Sequence, residues 1–365
     1  RGPRRFGGGR GWGPARGKNM VALLIAGATA LLAAILGTPI LIRSFQARGI
    51  GQQIRDDGPQ GHFSKAGTPT MGGITMVGAM AVGYVASHIA TGAVFTAAGV
   101  LTALVVVGAA GVGLLDDWIK ISRQRSLGLN KSAKSLSLIG VFLLFAVLAV
   151  YRAKVNTDLS FSRSLNIGMP DVVYILWAVL ILLAISNAVN LSDGLDGLAA
   201  GSAMYGFGAF VFIGFWQFRH QSCYGVGPAL DLSLVAAALA GACAGFLWWN
   251  AAPAKIFMGD TGSLALGTGL GALALTTNTQ LLLPVVGGLF VMITMSVVIQ
   301  VAVFQVFHRR VFRMAPIHHH FELVGWPETT VIVRFWILAS LCTAVAIGLF
   351  YADFLQSGCR GASLG

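Results

Sequence analysis

Residues 172–185 read Val-Val-Tyr-Ile-Leu-Trp-Ala-Val-Leu-Ile-Leu-Leu-Ala-Ile, and residues 186–197 read Ser-Asn-Ala-Val-Asn-Leu-Ser-Asp-Gly-Leu-Asp-Gly. The first part is uncharged and apolar, as expected of a segment that crosses a membrane. The second part places two amides and two carboxylates where such a segment must end. Polar groups at a membrane span are costly and usually functional, so this stretch predicts both a membrane fold and a site at its surface.

The spacing of these polar residues predicts how they are arranged. They recur every three residues, so on an unbroken α-helix they would spread over about half of the circumference. Gly194 and Gly197 allow the chain to leave helical dihedrals. We therefore predict that the four side chains turn inward around one ligand; the alternative is a simple helix end capped by Ser192 or Asp193. The four residues are Asn187, Asn190, Asp193 and Asp196.

Composition indicates an all-α polytopic membrane protein. Of 365 residues, 56% are hydrophobic and 10% are charged, which excludes an ordinary soluble domain. We predict a ten-helix transmembrane domain at residues 20–354, a disordered basic Gly/Arg tail at 1–19 and a short C-terminal tail at 355–365. The predicted spans, of which the eighth is short, are Met20–Ile42, Met71–Ile89, Ala93–Leu115, Leu136–Tyr151, Val172–Ala188, Leu198–Phe218, Leu232–Trp249, Gly262–Thr276, Leu281–Phe307 and Val331–Phe354.

The distribution of basic residues predicts the orientation. Lys and Arg are concentrated in the odd-numbered connections between spans, whereas the even-numbered connections hold few of them. By the positive-inside rule the odd-numbered connections face the cytoplasm. Most acidic residues and the histidine run lie there too, so we expect a cytoplasmic active site. The basic tail at residues 1–19 would then lie outside, and we give its charges less weight than those of four loops.

Two further carboxylate motifs fall on the same face. Asp116 and Asp117 end the third span, and Asp260 follows the seventh span in Phe-Met-Gly-Asp-Thr-Gly-Ser. Carboxylates at the membrane edge need a compensating cation. Oxygen ligands of this kind favour Mg²⁺ over zinc. The alternatives are an ion pair with Lys120 or Arg123 for the first motif and a helix N-cap for Asp260.

Two other connections offer polar groups for a substrate. The first loop contains Lys65 and Thr70 within Lys-Ala-Gly-Thr-Pro-Thr-Met-Gly-Gly, a reasonable lip for a phosphate. The ninth loop contains Ala-Pro-Ile-His-His-His-Phe-Glu, where His318, His319 and His320 suit hydrogen bonding to a polar substrate as well as metal binding. The external loop at residues 155–169 alternates weakly and is expected to form a short hairpin.

These motifs resemble those of the polyprenyl-phosphate N-acetylhexosamine-1-phosphate transferases. The resemblance covers about residues 20–354 and rests on five ordered motifs, including Leu-Asp-Asp-Trp-Ile-Lys and Asn-Ala-Val-Asn-Leu-Ser-Asp-Gly-Leu-Asp-Gly. It implies ten spans in a bacterial plasma membrane and a Mg²⁺-dependent transfer of phospho-MurNAc-pentapeptide from UDP-MurNAc-pentapeptide to undecaprenyl phosphate, with release of UMP. Ser192 stands where many relatives carry Thr, and both residues keep the hydroxyl.

The resemblance also implies roles for individual residues. Asp116, Asp117 and Asp260 would form the catalytic cluster, with Asp260 and Asp117 as metal ligands. Phe257 is a natural stacking surface for uracil, and the histidine run would touch the sugar-peptide part. Lys120, Lys134 or Lys65 would neutralise phosphate charge. The remaining nucleotide-sugar site would comprise Lys65, Thr70, Asn187, Asn190, Asp193, Asp196 and Asn250.

Several alternatives stay open at the level of sequence. A sibling transferase that uses UDP-N-acetylglucosamine would share most motifs, and a transporter would share acidic residues at helix ends, although its acids should lie nearer the bilayer midplane. Asp116 is either a general base or a group that positions metal or lipid phosphate. Cys223 and Cys359 would both be external, where a disulfide is feasible. The sequence permits a homodimer, and we expect no nucleic-acid partner.

Overall fold

The computed structural model of the chain describes residues 14–48, 67–123 and 128–357. Within these ranges the fold is a bundle of α-helices with a single two-stranded hairpin. The elements are α1 (Pro14–Ala47), α2 (Gly73–Thr91), α3 (Ala97–Ser122), α4 (Lys131–Tyr151), β1 (Asp158–Ser160), β2 (Ser164–Gly168), α5 (Asp171–Ser192), α6 (Leu198–Arg219), α7 (Gln221–Tyr224), α8 (Ala229–Asn250), α9 (Gly259–Thr276), α10 (Leu283–Val286), α11 (Gly288–Phe307), α12 (Ile317–Val324) and α13 (Glu328–Gln356).

Nine helices of the described ranges, rather than the ten predicted, are long and apolar enough to cross a membrane. The exception is α9, the eighth predicted span. All of its residues from Thr261 to Thr276 are buried by neighbouring helices. A helix that is surrounded by protein does not need the large apolar side chains that contact with lipid favours. The glycine-rich sequence of α9 is therefore less hydrophobic than that of the other long helices.

α9 nevertheless runs through the depth of the bundle. Its 18 residues span about 27 Å at the usual helical rise. It begins at the acidic cluster described below, and the segment that follows it reaches the hairpin, where the Gln280 N–H donates to Ser160 Oγ (3.4 Å). α9 is thus a buried central helix that connects the acidic cluster at one end of the bundle with the hairpin at the other.

Glycines allow the neighbouring helices to approach α9 closely. A Cβ atom on Gly73 of α2 would collide with the backbone of Gly262, and one on Gly113 of α3 would collide with the Asp260 carbonyl. Small residues let helices pack backbone to backbone, an arrangement typical of membrane bundles. The same approach brings the C-terminal turns of α3 against the start of α9, where the candidate site lies.

The boundaries differ from prediction at two places. α1 begins at Pro14, inside the segment that we predicted as a disordered tail at residues 1–19. The ninth predicted span is divided, because a 3-10 turn (Gln280–Leu282) and α10 precede a break at Gly287, after which α11 continues to Phe307. The predicted hairpin is confirmed, since β1 and β2 pair antiparallel.

The end of the bundle that carries the hairpin is held by polar contacts. Arg163 next to the hairpin forms an ion pair with Asp353 of α13 (Nε–Oδ2 3.2 Å). At the same end, His88 of α2 contacts Asp231 of α8 (Nε2–Oδ1 3.0 Å), and both side chains are almost fully buried. Cys223 is disulfide-bonded, and Cys359, the partner considered from sequence, lies outside the described residues.

Candidate active site

Three carboxylates converge at the end of the bundle opposite the hairpin. Asp116 and Asp117 lie in the last two turns of α3, and Asp260 is the second residue of α9. One carboxylate oxygen of each lies within 4.8 Å of the others. Asp116 and Asp117 are 2% and 3% exposed, so these charges depend on compensation by the protein or by a bound cation.

Two lysines provide part of this compensation. Lys120 Nζ lies 2.6 Å from Asp116 Oδ2, 2.7 Å from Asp260 Oδ2 and 3.5 Å from Asp117 Oδ1. Lys134 of α4 lies 2.7 Å from Asp260 Oδ2 and 3.9 Å from Asp116 Oδ2. Three negative and two positive charges therefore share one site, and its net negative charge suits a further cation.

Asp117 fastens the start of α9. Its Oδ1 accepts from the Asp260 N–H (3.2 Å), and its Oδ2 accepts from the Thr261 N–H (3.0 Å) and the Thr261 hydroxyl (2.7 Å). The first N–H groups of a helix have no partner within the helix, and a carboxylate there is also favoured by the helix dipole. Asp117 is thus an N-cap supplied by another helix, and it fixes the position of Asp260.

Asp116 is fixed by the connection between α3 and α4. Its Oδ1 accepts from the Leu129 N–H (2.8 Å). A Cβ atom on Gly128 would lie 2.6 Å from both the backbone oxygen and Oδ1 of Asp116, so only glycine allows this approach. Because Lys120 engages the other oxygen, both oxygens of Asp116 have a defined partner.

Asn190 of α5 joins the cluster from a third helix. Its side-chain amide donates to Asp260 Oδ1 (2.6 Å) and to Ser263 Oγ (2.7 Å). Ser263 in turn donates to the Gly259 carbonyl (3.0 Å). Asp260 is therefore oriented by one amide and two ammonium groups, with its backbone held by Asp117.

The four polar residues at the end of α5 do not converge on one point as we predicted, while their contact with a common ligand stays a prediction. The helix continues unbroken to Ser192. Asn187 is exposed, and its side-chain amide donates to the Leu183 carbonyl one turn earlier in the same helix (2.7 Å). Asp196 is 4% exposed, and its Oδ2 accepts from the Ala254 N–H (2.9 Å). It secures the α8–α9 loop, whereas Asn190 donates to Asp260.

Asp193 follows the last residue of α5 and lies within the electrostatic influence of the acidic cluster. Burial raises the pKa of Asp193 to about 8, and the negative charges of Asp260, Asp117 and Asp196 add to the effect. Near neutral pH this carboxyl holds a proton in most molecules. In that form it donates as well as accepts hydrogen bonds, which suits contact with a polar substrate.

The first loop and the α8–α9 loop are joined by backbone hydrogen bonds. The Phe257 N–H donates to the Pro69 carbonyl (2.8 Å), and the Phe257 carbonyl accepts from the Gly72 N–H (2.9 Å). Thr70, between these bonds, is 6% exposed and its Oγ1 lies beside Gly259. Phe257 is half-buried, and its role as a stacking surface for uracil stays a prediction. Lys65 lies outside the described residues.

Asn250 has a role within its own loop. It is 2% exposed, and its amide donates to the Ile256 carbonyl (2.8 Å) at the other side of the turn. Together with Asp196, it stabilises the conformation of the α8–α9 loop, which contains Phe257 and leads to Asp260. We expect it to act on substrate binding through that segment.

The histidine run forms the first turns of α12, which docks on the loop after α5. His318 is 0% exposed, and a Cβ atom on Gly194 would collide with its Nε2. His319 Nδ1 contacts Glu322 (2.7 Å), and His320 Nδ1 accepts from the Arg313 N–H (3.1 Å). His318 thus holds α12 next to Asp193, while His319 lies at the edge of the same contact.

The donor set of the cluster fits Mg²⁺. All three groups are carboxylates, and hard divalent cations of this size prefer oxygen. A carboxylate offers about four lone-pair sites, and α9 already uses three on Asp117. Asp260 also accepts three hydrogen bonds, from Asn190, Lys120 and Lys134. This count therefore does not rank the carboxylates, and the metal roles of Asp260 and Asp117 stay predictions.

Sequence reasoning missed the groups that hold these carboxylates. Thr261 and Ser263 follow Asp260 at a helix start, and a hydroxyl at such a position is a recognisable capping signal. The Leu129 N–H has no such signal, because any residue offers a backbone donor. Only the packing of α3 against α4 brings it to Asp116.

Comparison with known proteins identifies similar chains. Residues 97–278 match the model of glycosyl transferase family 4. A phospho-N-acetylmuramoyl-pentapeptide-transferase of Frankia alni is 53% identical over 354 residues, which cover 93% of this chain and 99% of the relative. The enzyme of that name from Streptomyces griseus is 50% identical over 352 residues, with 92% and 99% covered. That of Mycobacteroides abscessus is 48% identical over 359 residues, with 93% and 99% covered.

Proposed function

The chain belongs to the phospho-N-acetylmuramoyl-pentapeptide-transferase family, and on this premise we propose that it transfers phospho-MurNAc-pentapeptide from UDP-MurNAc-pentapeptide to undecaprenyl phosphate. The products are the corresponding lipid-linked diphosphate and UMP. In this reaction a lipid phosphate oxygen attacks the β-phosphorus of the nucleotide, and the bond from that phosphorus to the UMP oxygen breaks. The single observation that carries the proposal is the convergence of three carboxylates, two lysines and Asn190 at one end of a membrane bundle.

This arrangement suits phosphoryl transfer. Such reactions depend mainly on positioning and on neutralising the charge of the phosphates. Mg²⁺ is the proposed cofactor, held by Asp260 and Asp117, with Asp116 as the further candidate. When bound, it would neutralise phosphate oxygens and polarise the reacting phosphorus.

The remaining steps belong to the protein's own side chains. The side chains of Lys134 and Lys120 are 21% and 32% exposed, so they are accessible to phosphate oxygens of either substrate. Asn190 keeps Asp260 oriented, and Asp117 keeps the start of α9 in place. Holding two substrates in reactive alignment supplies a large part of the catalytic effect.

The donor's other parts fit the surroundings of the cluster. The ring of Phe257 is proposed to stack on uracil, and Thr70 and Lys65 are proposed to contact the nucleotide. Asp193, with its raised pKa, is proposed to hydrogen-bond the nucleotide or sugar. The edge of α12 at His319 and His320 is proposed to contact the sugar-peptide part, with His318 holding this helix in place.

The lipid substrate explains why the site lies at the edge of a multi-pass membrane protein. Its hydrocarbon tail stays in the bilayer, and its phosphate must meet a soluble nucleotide at the boundary. We propose that this boundary is the cytoplasmic face of the bacterial plasma membrane. The support is the excess of Lys and Arg in the connections on the side of Asp116 and Asp260.

A transfer assay tests the proposal. Purified protein in vesicles with undecaprenyl phosphate is given radiolabelled UDP-MurNAc-pentapeptide or UDP-N-acetylglucosamine, with Mg²⁺ or with EDTA. We expect labelled lipid only from the pentapeptide donor with Mg²⁺, and loss of turnover in Asp260→Asn. Labelled lipid from UDP-N-acetylglucosamine alone would assign the chain to the sibling reaction instead.

A further inference from the structure

Lys120 occupies a special position among the charges of the site. Its Nζ lies at the meeting point of Asp116, Asp117 and Asp260, at 2.6, 3.5 and 2.7 Å from their nearest oxygens. Lys134 lies 2.7 Å from Asp260 Oδ2 and 3.9 Å from Asp116 Oδ2, and no ion pair joins it to Asp117 among the described residues. Both lysines bring one positive charge, but only Lys120 reaches all three carboxylates.

The oxygens that Lys120 engages are the ones that a divalent cation needs. Mg²⁺ binds carboxylate oxygens at about 2.0–2.1 Å, closer than an ammonium group approaches. An ammonium group and a dication that share the same oxygens also repel each other strongly at such short range. Lys120 and the metal therefore cannot both sit at the meeting point.

The side chain of Lys120 has room to leave. It is 32% exposed, whereas the Asp116 and Asp117 side chains are 3% and 4% exposed. A lysine has a flexible four-carbon stem, so its ammonium group moves several ångströms without any change in the helix. The carboxylates are held by backbone donors from Leu129, Asp260 and Thr261, and they stay in place.

We propose that Lys120 is a built-in competitor of the divalent cation, and that metal binding displaces its ammonium group from the carboxylates toward the open rim of the site. This inference rests on the proposed function, because it assumes a metal-dependent site. Without metal, the positive charge of Lys120 reduces the repulsion among the three close carboxylates, so that the folded state tolerates them. With metal, the same ammonium group is available to a phosphate, so metal occupancy and phosphate binding are coupled through one side chain.

The test is a metal titration without any substrate. The thermal unfolding midpoint of the full-length protein in detergent is measured against Mg²⁺ concentration, since a ligand that binds the folded state raises the midpoint. Lys120→Gln is compared with Lys134→Gln, which removes the same charge next to Asp260. Arg123→Gln, at the exposed residue that follows the last residue of α3, controls for a general change in charge.

We expect the half-saturating Mg²⁺ concentration to fall about tenfold in Lys120→Gln, which corresponds to about 1.4 kcal/mol. In Lys134→Gln it should fall less than about threefold, because that lysine does not occupy the meeting point, and Arg123→Gln should match the wild type. Equal falls in the two lysine variants would show that net charge alone matters. No fall in Lys120→Gln would show that the lysine does not compete; either result overturns the proposal.

A second measurement uses the wild-type protein and is independent of the folding of any variant. Brief labelling with an amine-reactive reagent, followed by peptide mass spectrometry, reports the accessibility of each lysine. Lys120 labelling should rise with Mg²⁺ over the same concentrations that raise the unfolding midpoint, and Lys134 labelling should change less. Unchanged or reduced Lys120 labelling would overturn displacement. Because neither measurement contains nucleotide or lipid, the result is separable from failure of the transfer assay.

Discussion

Thr261→Val should loosen the attachment of α9 to α3. Thr261 is 1% exposed, and its N–H and hydroxyl both donate to Asp117 Oδ2, at 3.0 and 2.7 Å. Valine keeps the branched shape and the backbone N–H but removes the hydroxyl donor. The change therefore tests one hydrogen bond of the cap while every charge in the cluster is kept.

The expected magnitude follows from the kind of bond that is lost. A hydrogen bond to a charged group contributes about 1.5–3 kcal/mol, and an exposed or neutral one contributes less. Because Asp117 Oδ2 keeps the Thr261 N–H, we expect the lower part of this range, a loss of about 2 kcal/mol in the free energy of unfolding. Thr261→Ser keeps the hydroxyl and should lose less than half as much.

Equilibrium unfolding in mixed micelles measures these losses, and a double-mutant cycle with Asp117→Asn tests their origin. If the hydroxyl acts through the carboxylate, Thr261→Val should cost much less in the Asp117→Asn background than in the wild type. A cost that is the same in both backgrounds would refute the cap, and the destabilisation would then come from packing around valine.

Three further predictions concern the same end of the bundle. Asp116→Asn should depress turnover uniformly between pH 6 and 9 at saturating Mg²⁺, because a phosphate monoester with a second pKa near 6 needs little help from a base; recovery at high pH would make Asp116 a base. Gly128→Ala should lower kcat about tenfold with KM for the nucleotide sugar nearly unchanged, whereas Gly140→Ala, with open space around its Cβ, should be neutral; equal effects would refute a role in positioning. The raised pKa of Asp193, about 8, means that the folded state binds the proton more tightly, so stability without metal should fall as pH rises from about 4 to about 8. Unfolding midpoints at pH 6 and 8.5 should show this fall weakened in Asp193→Asn, and an equal fall in that variant would contradict the assignment.

Much of the fold was predictable because lipid imposes a simple composition. Runs of apolar residues predicted nine of the helices, and the alternation at residues 155–169 predicted the hairpin. α9 was predicted only as the short span Gly262–Thr276, and its hydropathy is low because its surroundings are protein. Its glycines and small side chains match neighbouring helices such as α2 and α3, and hydropathy carries no information about such matches.

The site was predictable in its location and less so in its contacts. The acids fell on one side of the membrane by topology, and the structure brings Asp116, Asp117 and Asp260 together. The spacing of three after residue 187 was misleading, because α5 stays helical to Ser192 and Asp196 turns to the α8–α9 loop. Which acid serves a helix end and which faces the open site depends on the axial position of α3 against α9, and that position is set by packing.

The two ends of α3 show how this axial position is fixed. At the hairpin end, Asp231 of α8 accepts from the N–H and the hydroxyl of Thr96, at 2.6 and 2.7 Å, just before α3 begins. At the site end, Asp117 of α3 accepts from the same two groups of Thr261 at the start of α9. In each case a buried carboxylate from one helix caps the N-terminus of another, where the helix dipole and unpaired N–H groups compensate its charge. A slip of one residue, about 1.5 Å along the axis, would leave a buried carboxylate and a helix end unpaired at the same time. Apolar packing alone tolerates such slips, so the paired caps are what hold Asp116 and Asp260 at a common depth.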